Sequence, residues 1–184
     1  MSATWANGFA RWQPHYGEDG QIYSLAHLHP HRFTLSFAAR ADYAARDVEI
    51  RVGYSSHPFT KKCADGERPH APYSKPHDPR AFCLERYRLS LQLPKILGSI
   101  DSRRCYATDF RNYFVVDTLD LLPVNTEYRV FFNTKKVEPH ALRLFVESAY
   151  AGSVSRSPQG RRRESVMFRA LVSKTLGLKK ANPA

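Results

Sequence analysis

EYRVFFNTKKVEPHALRLFVES, residues 127–148, decides the fold. Two strand-like runs, 127–133 and 141–148, flank Lys135-Lys136-Val137-Glu138-Pro139, a turn too short for anything but a direct return of the chain. A third run, 112–117, precedes them across Pro123-Val124-Asn125-Thr126. Strands joined this closely pair antiparallel, because a parallel pair needs a long crossover. Upstream, Phe33, Leu35 and Phe37 alternate with Arg32, Thr34 and Ser36. Val48, Ile50, Val52 and Tyr54 alternate with Glu49, Arg51 and Gly53. A period of two puts one face of each strand in a core and the other in water.

Between these two groups of strands the pattern changes to a helical one. Asp78-Pro79 reads as a helix start, with an aspartate cap and a proline at the first position. Leu84, Tyr87 and Leu91 recur at helical spacing, and Pro94 breaks the helix before a second short one carrying Ile96, Leu97 and Ile100. Residues 165–178 are ambiguous: Val166 and Phe168 suggest a last strand, Leu171 to Leu178 a closing helix. The expected class is α+β: an antiparallel sheet of about five to six strands with one central, kinked helix on one face. The 184 residues suit a single domain, 1–184. It divides into an aromatic arm (1–21) with Trp5, Phe9, Trp12 and Tyr16, a core (22–154) and a basic segment (155–184).

Residues 55–82, SSHPFTKKCADGERPHAPYSKPHDPRAF, separate the strand ending at Tyr54 from the helix. Five prolines, three histidines and a cysteine in 28 residues leave little to fill a core. Loops of this length inside compact domains are functional or disordered, so the site is expected here. Metal-independent RNA cleavage needs a base, an acid and cations around the phosphorus. His57, Lys61, Arg86 and Tyr150 are the candidate catalytic set, if the sheet brings Ser148-Ala149-Tyr150 beside the loop. Lys62, Arg80, Arg161, Arg162, Arg163, Lys179 and Lys180 are the candidate nucleic-acid contacts. The competing reading leaves His57 in a turn, Tyr150 in the core and the arginines paired with Asp78 and Glu85.

No cofactor is expected, with zinc as a minority alternative on His57, Cys63, His70, His77 and Cys83. Those spacings match no standard zinc module. Phosphate-binding loops, dinucleotide fingerprints and H-E-x-x-H are missing, and the carboxylates are too scattered for two-metal chemistry. The order of a helix and then an antiparallel sheet, with a basic surface, resembles the small bacterial ribonuclease toxins of the RelE type. The likeness is one of element order and charge, carried by no motif, and implies ribonuclease chemistry.

The net charge is +11, and residues 155–180 hold eight of the cations against Glu164 alone. Such a segment points to an anionic partner, RNA before DNA. The alternative partner is a protein docked by the 55–82 loop and the aromatic arm. No apolar run reaches a membrane span. The start lacks a signal-peptide pattern, and three cysteines, Cys63, Cys83 and Cys105, form no disulfide framework. A cytoplasmic location is expected.

Overall fold

The computed structural model describes residues 4–6, 8–39, 44–110, 112–117, 122–153 and 165–178. The arm forms one small hairpin, β1 (Thr4–Ala6) with β2 (Phe9–Arg11), and half of a second, β3 (His15–Tyr16) paired with β4 (Ile22–Tyr23) at the start of the core. Then come β5 (His31–Phe37) and β6 (Arg46–Tyr54), the hairpin of β7 (Thr60–Lys62) and β8 (Arg80–Phe82), and helices α1 (Leu84–Ser90) and α2 (Leu93–Gly98). The chain closes through β9 (Arg104–Ala107), β10 (Tyr113–Asp117), β11 (Thr126–Glu138), β12 (Ala141–Ser153), β13 (Ser165–Met167) and α3 (Phe168–Leu176).

Mixed α/β architecture holds, but the sheet is larger than expected. Seven strands lie in the order β13-β9-β10-β11-β12-β6-β5. The run read from residues 112–148 is the antiparallel β10-β11-β12 meander. β6, however, pairs parallel with β12, from Glu49 opposite Ala141 to Tyr54 opposite Val146. The chain between them is long enough for a crossover, so the antiparallel rule for short connections does not reach this pair. β9 has only four residues, Arg104 to Ala107, and offers no alternation to detect.

One face of the sheet carries Val48, Ile50, Val52, Leu142, Leu144, Val130 and Phe132, all fully buried. Against it pack α1, α2 and α3, so no single helix is central. Asp78-Pro79 does not start a helix; β8 follows instead, and α1 begins after Cys83. Pro94 stands in the first turn of α2, where its missing N–H costs nothing. Leu84 and Leu91 are exposed, and α1 buries Leu89 and Ser90 instead. The strand and helix readings of residues 165–178 both hold, in succession, with Phe168 fully buried at the helix start. Gly177 closes α3 in the left-handed region (φ 68°), with Leu178 N–H donating to Ser173 O across the end. The arm packs Phe9 and Trp12 on the body, while Tyr16 stays exposed.

The candidate site lies where β6 ends. β12 runs on past Val146, leaving residues 147–153 without β6 beside them, and α1 packs against β12, with Arg86 over the Tyr150 ring. Glu147 is the extra residue of a bulge, since Phe132 faces Val146 and Phe131 faces Ser148. Its carbonyl accepts the Ser55 hydroxyl at 2.5 Å, which ties the start of the 55–82 loop to the bulge. The bulge also resets the alternation, placing Tyr150 on the face of Phe131, with ring centroids 5.2 Å apart.

Candidate functional site

The loop is ordered by its own polar groups. Thr60 donates to Ser56 O (2.8 Å), and Arg80, 6% exposed, fills the centre of the β7-β8 hairpin. Its Nε donates to Thr60 Oγ1 (2.7 Å), Nη2 to Thr60 O (3.1 Å) and Nη1 to Asp78 Oδ1 (3.1 Å). A buried guanidinium must be fully partnered, and this one is held on three sides. Arg80, expected as a nucleic-acid contact, therefore braces the loop.

Asp78 lies between Arg80 and His57. Its Oδ2 accepts from His57 Nε2–H at 3.1 Å. A carboxylate can only accept, so the proton sits on Nε2 and Nδ1 keeps its lone pair. Burial first, then the nearby charge of Arg80, holds His57 below its ordinary 6.5 against the opposing pull of Asp78. Burial pushes the Asp78 carboxyl up, but Arg80 and His57 together pull it below 3.8. The neutral ring is thus oriented, half-buried and open at Nδ1 to a proton donor.

Arg86 completes the cluster from α1. Its Nη1 donates to His57 O (3.1 Å) and Thr60 O (3.0 Å), and its guanidinium carbon stands 5.7 Å from the Tyr150 ring centroid. Nε and Nη2 have no protein acceptor among the described residues. His57, Arg86 and Tyr150 come together; Lys61 does not join them. Its ammonium is paired with Glu67 at 3.3 Å on the exposed side of β7, and Lys62 is exposed on the same strand. Arg161, Arg162, Arg163, Lys179 and Lys180 lie outside the described residues. Under the cluster, Tyr54 and Tyr128 are fully buried with hydroxyls that have no partner among the described residues. Burial raises both phenols, and Tyr128 also feels the charge of Arg86.

The residue missed from sequence was Asp78, read as a cap rather than the partner of His57. The signal, an aspartate two residues before a buried arginine, has meaning only once β7 and β8 are paired.

The zinc candidates are dispersed over other tasks. His70 Nδ1 accepts from Phe82 N–H (3.1 Å), His77 is exposed, and Cys63 and Cys83 are free, half-buried thiols. Among the described residues no three His, Cys, Asp or Glu side chains come together around a metal position. No helix among them is long and apolar enough to cross a membrane.

Residues 13–176 match the profile of the YjaZ family, and the chain belongs to that family. No curated protein matches it, and no solved structure does.

Proposed function

We propose that this member of the YjaZ family binds RNA in the cleft between β12 and the 55–82 loop and cleaves it without a metal. The observation that carries the reading is the neutral His57, oriented by Asp78 beside the uncommitted side of Arg86. In this reading Nδ1 of His57 takes the proton of a ribose 2′-hydroxyl, and the 2′ oxygen attacks phosphorus. Arg86 holds the developing charge of the phosphorane. The bond to the 5′ oxygen breaks, that oxygen takes a proton from the Tyr150 hydroxyl, and a 2′,3′-cyclic phosphate remains. His57 returns its proton to Tyr150. Arg80 and Asp78 act as positioning residues. The basic segment, with Arg161, Arg162 and Arg163, adds salt-dependent affinity for the backbone. Free cysteines suit a reducing compartment, and the cytoplasm is the location that fits.

The test pairs filter binding of a single-stranded RNA with an RNA-integrity gel on the full chain. His57→Ala should lower cleavage by about 10²- to 10⁴-fold, the range of general acid–base catalysis, while binding changes less than about twofold. Tyr150→Phe should lower cleavage in the same sense. Intact RNA after incubation with the unaltered protein would overturn the catalytic part. Failure to retain RNA even at low salt would overturn the whole reading in favour of a protein-docking role.

A further inference from the structure

A cavity lies between the arm and the 55–82 loop. It has a volume of about 320 Å³, within the range of small-molecule sites and ample for a nucleoside. Its walls are flat and apolar: Trp12, Pro14 and Tyr16 from the arm face Pro69, Pro72 and Tyr73 from the loop. Tyr16 is 59% exposed, and its ring has no aromatic partner among the described residues. Two histidines supply polarity. The His15 ring stacks on Phe82 with centroids 4.0 Å apart, and His70 lies 5.0 Å from His15.

Hydrogen bonds fix what these rings offer. Phe82 N–H occupies Nδ1 of His70, so the His70 proton sits on Nε2, which must act as a donor. Nδ1 of His15 is 3.2 Å from the Tyr73 hydroxyl. Burial pushes that phenol up to about 12, so it keeps its proton and can donate it to Nδ1. When it does, the His15 proton sits on Nε2, which is then a second donor. Burial, and next the closeness of His70, hold His15 below 6.5 against a weaker opposing pull from Asp19. The cavity therefore holds the fixed N–H donor of His70, a second at His15 Nε2 whenever Tyr73 donates to Nδ1, and no Lys or Arg among the described residues of its lining, an environment for a neutral, planar acceptor rather than for phosphate.

We propose that this cavity receives an unstacked nucleobase, and guanine in preference to adenine. Guanine presents adjacent acceptors, O6 and N7, on one edge, whereas adenine sets a donor beside its N7. Tyr16 and the prolines supply the apolar faces on which a base stacks. The site rests on the reading of RNA as substrate and deepens it. The Tyr73 carbonyl accepts from Ser56 Oγ (3.2 Å), and the Arg80 carbonyl accepts from His70 N–H (2.8 Å). The two sites thus share one braced loop.

The experiment is a titration of the full chain with guanosine, adenosine and ribose 5-phosphate, read by Trp12 fluorescence and by the His70 ring signals in NMR. Guanosine should bind saturably, about tenfold tighter than adenosine, as expected for a two-acceptor edge. Ribose 5-phosphate should not move the His70 signals. His70→Ala should weaken guanosine by about tenfold, with part of the loss restored in His70→Gln, which again offers an N–H donor. Tyr16→Ala, a surface change that leaves the core intact, should weaken both nucleosides alike. Unsaturable guanosine, equal binding of ribose 5-phosphate, or unchanged affinity in His70→Ala would each overturn the proposal. Saturable guanosine binding without RNA cleavage supports this site and overturns the catalytic reading alone. Cleavage that depends on His57 without guanosine binding overturns this site alone.

Discussion

Cys105, Cys63 and Cys83 carry the same thiol in different surroundings. Cys105 is fully buried on β9, and burial pushes its thiol up to about 12. Cys63 and Cys83 are free and half-buried. Since the thiolate is the reacting form, native protein should titrate two thiols with a disulfide reagent at pH 8. The third should react only after unfolding, and three fast thiols in the native state would contradict the burial of Cys105. At this scale the sequence was legible in residue type more than in partnership. His57, Arg86 and Tyr150 were picked out by chemistry and position, and they do meet. Lys61 was chosen on the same grounds and is turned to Glu67 by the pleat of β7, where Thr60 takes the inward position. The aspartate that orients His57 is distant in sequence and was invisible for that reason.

Within the elements, Gly53 shows why one strand position had to lose its side chain. Phe9 lies over β6, and a Cβ added at Gly53 would come within 2.0 Å of its ring. Phe9 in turn stacks on Phe145 (6.2 Å), with the Arg143 guanidinium 4.9 Å from the Phe145 ring. Gly53→Ala should expel Phe9 or shift the β1-β2 hairpin, at a cost of about 1–3 kcal/mol for overpacking. Urea unfolding checks this: a midpoint within error of the unaltered protein would mean the ring moves freely. Double replacement with Phe9→Ala should cost less than the sum of the two single changes, because they share one contact. From sequence, Gly53 looked like a member of the polar face of β6, and nothing local announced the ring above it. The helix was misjudged for a related reason. Leu84 and Leu91 have the right spacing, but α1 turns Leu89 and Ser90 inward and leaves both leucines exposed.

The whole molecule couples folding to several histidines that are neutral in the native state. His15, His27 and His57 are all held below 6.5, in each case first by burial. In the unfolded chain each would take a proton at about 6.5, so between that value and the lowered native one the unfolded state binds more protons. Stability is then fully present above about pH 7 and declines as pH falls below 6.5. Asp78, Asp19, Glu49 and Glu67, all held below their ordinary values, add a further loss as pH drops beneath 4. Thermal unfolding from pH 8 to pH 4 should show a level upper limb and a falling lower one beginning near the histidine range. Stability that rises on acidification from pH 7 to 5.5 would show that these histidines are charged in the folded protein.

What the sequence determined by itself is local: the β10-β11-β12 meander, the two alternating strands of β5 and β6, and the break at Pro94. Period, turn length and proline geometry act over a few residues and can be read directly. Only the tertiary structure decided that β6 runs parallel to β12 and that β8 replaces the expected helix start. It also decided that Asp78 holds His57 and that the arm joins the loop around His15 and His70. Each of these depends on groups far apart in the chain, brought together by shared burial, and no local pattern encodes which distant partner will satisfy a buried charge or cover an exposed face.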